Sequence, residues 1–153
     1  MMDSDAEATP NRAVVDRWVD AMSRSDLSAF DEIIAPDVVE DYPQSGERFR
    51  GRENLRAMLQ AFPGIGEALQ PDIRRVVGGD ETWLLTPRYS VVRVAGRGDE
   101  FTIIGTITYP GGDTWQFVQI VGVTDGKIAR ITSYFAEPFE PAEWRAPYRE
   151  APR

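Results

Sequence analysis

The chain reads as a single α+β domain, about six strands in a largely antiparallel sheet covered by three N-terminal helices, and three observations predict it. Apolar residues up to Phe62 recur at helical spacing. Beyond Pro71 the texture turns extended, with segments rich in Val, Ile, Thr and aromatics cut by glycine turns. The 153 residues, 42% of them hydrophobic, suffice for one sizeable core, and no internal repeat or linker divides them.

Residues 1–9 are acidic and polar and read as a disordered lead-in, without the basic and apolar regions of a signal peptide. Thr9-Pro10 supplies a cap and a proline at the first helical position. Val14, Val15, Trp18, Val19 and Met22 then share one face of a first helix. Ser25-Asp26 can cap a second, shorter helix carrying Leu27, Phe30, Ile33 and Ile34, closed by Pro36. A short strand, Val38 to Tyr42, stops at Pro43. A third helix carries Leu55, Met58, Leu59 and Phe62 and ends at Pro63-Gly64. Five further strands follow at about 72–78, 81–95, 99–109, 113–123 and 127–136, joined by hairpins. One face of such a meander needs a cover, and the helices provide it. The domain proper is therefore 10–136. The proline-rich tail, 137–153, keeps Phe139, Trp144 and Tyr148, aromatics expected to dock on the domain or on a partner subunit.

Composition narrows the function. Cysteine and histidine are both absent, which removes thiolate nucleophiles, the usual zinc ligands and the commonest general base. The net charge of −8 argues against nucleic acid, where phosphate needs a basic surface. No apolar run approaches the roughly 18 residues of a membrane span, so a soluble, cytoplasmic protein is expected. Gly78-Gly79 and Gly111-Gly112 are hairpin punctuation and lack the strand-to-helix setting of a phosphate loop.

The order of elements, with the stretches VVDRWVDAMSRSDLSAF, VVEDYP, SGERFRG and DGKIARITSYF, resembles the nuclear transport factor 2-like superfamily, in particular SnoaL-like and ketosteroid isomerase-like domains. The resemblance covers roughly residues 10–148. It implies a curved, cone-shaped sheet around an apolar pocket and a homodimer paired through the sheet. It also implies a site. Asp41 falls where the isomerase has its catalytic base, and a carboxylate in an apolar cone would titrate high, suiting it to proton transfer. Trp18 takes the place of the isomerase's oxyanion tyrosine. The second donor of that enzyme, a protonated aspartic acid, maps to Val118, which cannot donate. The correspondence turns Ile131, Ser133 and Phe135 inward on the last strand.

Other polar groups offer substitutes. Gln116 shares the face of Val118, because strand side chains alternate, and an inward glutamine requires a partner. Tyr89 is a further candidate for the pocket. Glu40 and Asp41 face opposite sides of their strand and make a poor acid–base pair. Arg48, Arg50 and Arg52 could hold an anion, although pairing with local acids such as Glu47 and Glu53 is the plainer account. Two readings stay open. In one, a small apolar carbonyl compound undergoes isomerisation, cyclisation or dehydration with Asp41 as base, needing no metal or cofactor. In the other, the fold is a non-catalytic ligand-binding or dimeric module. A closed, collapsed pocket, or an Asp41 already fully hydrogen-bonded to backbone, would favour the second.

Overall fold

A computed structural model describes residues 9–61, 88–109 and 113–150. The expected strand at 72–78, the start of the one at 81–95, the Phe62 to Gly64 helix end and the lead-in before Thr9 lie outside those residues.

The first helix, α1, spans Pro10–Arg24. Thr9 caps it, its hydroxyl accepting from the backbone N–H of Arg12, and Ser25 ends it in a left-handed conformation at φ 52°. Val15, Trp18 and Ala21 form its buried stripe, a spacing of three that keeps them on one side. The second helix, α2, is only Phe30–Ile33, shorter than the reading from Ser25 to Pro36. Asp26 does accept a backbone bond, from Ser28, but this makes a turn instead of a helix cap. Ile34 already opens the strand β1, Ile34–Tyr42. Pro36 therefore lies inside a strand, where the pairing register shifts between Ile34 and Val39 and its missing N–H is tolerated.

Residues Glu47–Arg50 form a short strand, β2, that sequence patterning missed, and α3 follows at Arg52–Gln60. The meander comprises β3 (Arg88–Arg97), β4 (Glu100–Thr108), β5 (Thr114–Thr124) and β6 (Lys127–Ala136). The described strands form one sheet in the order β2-β1-β6-β5-β4-β3, with β1 and β6 parallel and every other pair antiparallel. The sheet is curved and unclosed. Its inner face packs α1 through Val15 and Trp18, joined by Phe101, Ile107, Phe117, Val121 and Ile131 from the strands.

Arg52 turns away from Arg48 and Arg50. Its guanidinium donates to the carbonyls of Asp31 and Ile34, and Lys127 donates to the Asp31 carbonyl as well. The predicted arginine cluster is therefore split, with Arg52 tying α3 to the end of α2. In the tail a 3₁₀ helix spans Glu143–Tyr148. Phe139, Trp144 and Tyr148 are 80%, 71% and 85% exposed, so within one chain they are solvated and do not pack on the domain. Among the described residues no helix is long and apolar enough to cross a membrane.

One glycine carries a packing constraint that bears on the site. Gly105 faces the bulge in β3 between Val91 and Arg93. A Cβ there would meet the Ser90 carbonyl oxygen at 2.4 Å and the Phe117 ring at 2.7 Å. Gly105→Ala is expected to lower stability by about 1–3 kcal/mol in urea denaturation and to shift the Phe117 ring resonances.

Candidate functional site

Alternation along β1 decides what enters the interior. Val38 and Glu40 are buried there, whereas Asp41, one residue on, is partly exposed on the opposite face. On β5 the buried residues are Phe117, Gln119, Val121 and Val123. On β6, Ile131 and Ser133 are buried, with Ser133 directly opposite Gln119. Glu40, Gln119 and Ser133 are the buried polar side chains among the described residues, and one hydrogen-bonded relay contains all of them. The Trp18 indole N–H donates to Gln119 Oε1 at 3.2 Å. Gln119 Nε2 donates to Ser133 Oγ at 3.1 Å, and Ser133 Oγ donates to Glu40 Oε1 at 2.8 Å.

The electrostatics follow from burial. Glu40 is 3% exposed. Desolvation pushes its carboxyl up to about 7, against the lowering effect of the Ser133 hydrogen bond and with a small push from the Asp41 charge. Burial also raises the phenols of Tyr42 and Tyr89, and the Glu40 charge adds to both shifts, so these hydroxyls stay neutral donors. Tyr42, two residues on from Glu40, and Phe49, its cross-strand partner, belong to the wall of a cavity of about 440 Å³. Six aromatic rings line it, those of Tyr42, Phe49, Tyr89, Tyr109, Trp115 and Phe135, and Met58 and Leu59 of α3 wall one side. The rings hold one another edge-on, Tyr42 against Phe49 at 4.9 Å and Phe135 at 5.4 Å, and Tyr109 against Trp115 at 5.3 Å. The wall is largely apolar, and its polar groups are the phenols of Tyr42, Tyr89 and Tyr109 and the side chain of Glu47. Among the described residues no three His, Cys, Asp or Glu side chains gather as metal ligands.

Several sequence-derived site residues are displaced along their strands, by one position on β1 and by one or three on β5. Asp41 is on the outer face, gripped by Arg48 through two hydrogen bonds of 2.6 and 2.9 Å. That bond, with the charges of Arg48, Arg50 and Arg130, holds its carboxyl below the usual range. Asp41 thus points out of the interior, and Glu40 is the carboxyl inside. Gln116 is exposed and Val118 lies on the outer face, level with Ile104 and Tyr134. Gln119 is the inward glutamine. Trp18 is inward as expected but 1% exposed, with its N–H committed to Gln119 and not to a ligand. Tyr89 and Phe135 line the cavity, and Ser133 belongs to the relay.

The signal for the correct face lay in ERFR. Read as a strand, its Phe49 faces inward and Arg48 outward, and Arg48 stands opposite Asp41 while Phe49 stands opposite Glu40. The inward reading of Ser133 and Phe135 likewise required Gln119 and Phe117 opposite them, not Gln116 and Val118.

The raised Glu40 pKa has a consequence for stability. The folded state keeps this proton to about 7 while the unfolded chain releases it near 4.5, so the contribution is complete below 4.5 and lost as pH rises through 7. The loss is about 3 kcal/mol. Asp26, Asp31 and Asp41, all held low, act in the opposite sense and at lower pH. Denaturation between pH 5 and 8 is expected to show stability declining in the wild type and nearly level in Glu40→Gln, which keeps an acceptor for Ser133.

Comparison with known proteins places this arrangement. An NTF-2-like protein of unknown function from Burkholderia xenovorans is 28% identical, with 94% of this chain and 96% of that one covered at a TM-score of 0.70. A Kribbella flavida protein provisionally named a ketosteroid isomerase is 22% identical over 94% of this chain and 90% of its own, at 0.74. An LEH-like epoxide hydrolase of M. tuberculosis is 17% identical over 83% of each chain, at 0.57. The last two likenesses show the fold alone. No curated protein matches the chain. The profile of the SnoaL-like domain matches residues 15–131, from the buried stripe of α1 into β6, and the chain therefore belongs to the SnoaL-like domain family, with the nuclear transport factor 2-like fold.

Proposed function

We propose that the aromatic cavity binds a small, largely apolar carbonyl compound and that Glu40 moves a proton on it without a cofactor, in an isomerase-, cyclase- or dehydratase-like reaction. The observation that carries this reading is a buried carboxyl pushed up to about 7 and held by a hydrogen-bonded relay, with Tyr42, two residues on, and Phe49, its cross-strand partner, in the wall of the aromatic cavity. A base working near its own pKa is half ionised at neutral pH and still strong enough to take a proton from carbon next to a carbonyl. The neutral phenols of Tyr42 and Tyr89 are the donors available for the developing enolate oxygen. Two proteins of similar fold carry enzyme names, an isomerase and an epoxide hydrolase, so the fold accommodates catalysis.

The outer face supports a second, compatible reading, pairing with another copy of the chain. Ile104, Val118 and Tyr134 stand in register across β4, β5 and β6, and Ile104 and Tyr134 are 36% and 41% exposed.

The first reading is tested by proton exchange, which needs no knowledge of the product. Enone and β-keto compounds incubated with the protein in deuterated water are expected to exchange the hydrogen next to the carbonyl, with a rate that rises through an apparent pKa near 7. Glu40→Gln should lose about 10²–10⁴ of that rate, whereas Asp41→Asn should leave it largely intact. For the second reading, light scattering is expected to show a dimer that the double change Ile104→Glu, Tyr134→Glu converts to monomer.

A further inference from the structure

The relay from Trp18 to Glu40 has a direction, and the chemistry of its first member sets it. An indole N–H donates and never accepts, so the atom of Gln119 facing Trp18 must be the amide oxygen. The other end of that amide is then the NH₂ group, which faces Ser133 and obliges the hydroxyl oxygen to accept. The serine has one hydroxyl proton, and it points to Glu40 Oε1. Among the described residues Oε1 is the acceptor this proton reaches, so Oε1 accepts whether or not Glu40 is ionised. The hydrogen bond from the relay reaches Glu40 at Oε1 and leaves Oε2 outside the line. We propose that Trp18 is a positioning residue which, acting through Gln119 and Ser133, locks the relay in one direction and confines the exchangeable proton of Glu40 to Oε2.

The inference rests on the reading of Glu40 as the base and deepens it. On that reading, the substrate C–H bond breaks, its electron pair passes into the enolate, and the proton forms a bond to Oε2. The same oxygen returns it to carbon, while Oε1 stays tethered to β6 and keeps the carboxyl plane from turning. With the indole N–H removed, the Gln119 amide can reverse. Ser133 would then donate to Gln119 and accept from a protonated Oε1, so the proton would be drawn into the relay. The titratable groups around Glu40 do not compete in the relevant range. Asp41, beside it on β1, is held low, and the phenols of Tyr42 and Tyr89 are held high.

Infrared difference spectra across the titration of Glu40 read the location of this proton. In the wild type, protonated Glu40 is expected to give one carboxylic C=O band, lowered by the Ser133 hydrogen bond to Oε1 and identified by its absence in Glu40→Gln. Ser133→Ala should move the whole band to higher frequency and raise the pKa by about one to two pH units. Trp18→Phe should split the band, adding a component at the higher position, and raise the pKa by up to the same amount. Gln119→Met, which removes the amide without emptying α1, should split it likewise and stands in if Trp18→Phe does not fold. Two bands in the wild type would overturn the inference, as would a single unshifted band and unchanged pKa in a folded Trp18→Phe or Gln119→Met protein. The bands test the direction of the relay independently of turnover. Retained deuterium exchange in Glu40→Gln would instead overturn the functional reading.

Discussion

A carboxyl group sealed in an apolar interior is the constraint around which the rest of this structure is arranged. Burying Glu40 raises the free energy of its charged form, and a lone buried carboxylate would simply keep its proton. Here three elements distant in sequence converge on it. Helix α1 brings Trp18, β5 brings Gln119 and β6 brings Ser133, and each supplies one donor in a line that ends on a single oxygen. Buried polar groups of this kind are stabilising only when all are satisfied together, because each unpaired member would cost its full desolvation. The relay therefore couples the seating of α1 to the pairing of β1 with β6. That parallel pairing is what sets Glu40 beside Ser133 in the first place.

Two carboxyls adjacent in sequence acquire opposite character from the same strand. Asp41 is turned to solvent and to Arg48, which holds it ionised. Glu40 is turned inward and its pKa rises to about 7. Environments that push neighbouring titratable groups apart commonly mark acid–base sites, and here the separation needs only the two-residue period of a strand. Further along the same strand pair, Tyr42 and Phe49 enter the wall of the aromatic cavity of about 440 Å³.

Much of the fold was legible. Helix α1 begins where Thr9-Pro10 place it, because caps and proline geometry are local. The strands β4 to β6 lie between the glycine turns that mark them, for the same reason. The short β2 and the early start of β1 were not legible. Residues 34–37 carry a proline and a turn-forming aspartate, and it is pairing with β6 that draws Ile34 into the sheet. Local preference yields to a partner more than ninety residues away.

The buried polar groups were legible in type and misplaced in register. An acid in VVEDY, a tryptophan on α1, a glutamine on β5 and a serine on β6 were all identified as groups of the pocket, and α1 and β6 supplied the residues named. On β1 and β5 the neighbour one or three positions away is the inward group. VVED and WQFVQIV carry apolar side chains on both faces, so alternation alone gives no preference for one parity. By itself the sequence determined the kinds and order of elements, since helix caps, turn glycines and hydrophobic periods act over a few residues. Only the tertiary structure decided which carboxyl and which glutamine enter the interior, since that choice is made where Arg48 meets Asp41 and Ser133 meets Glu40, contacts between strands that the chain must fold to bring together.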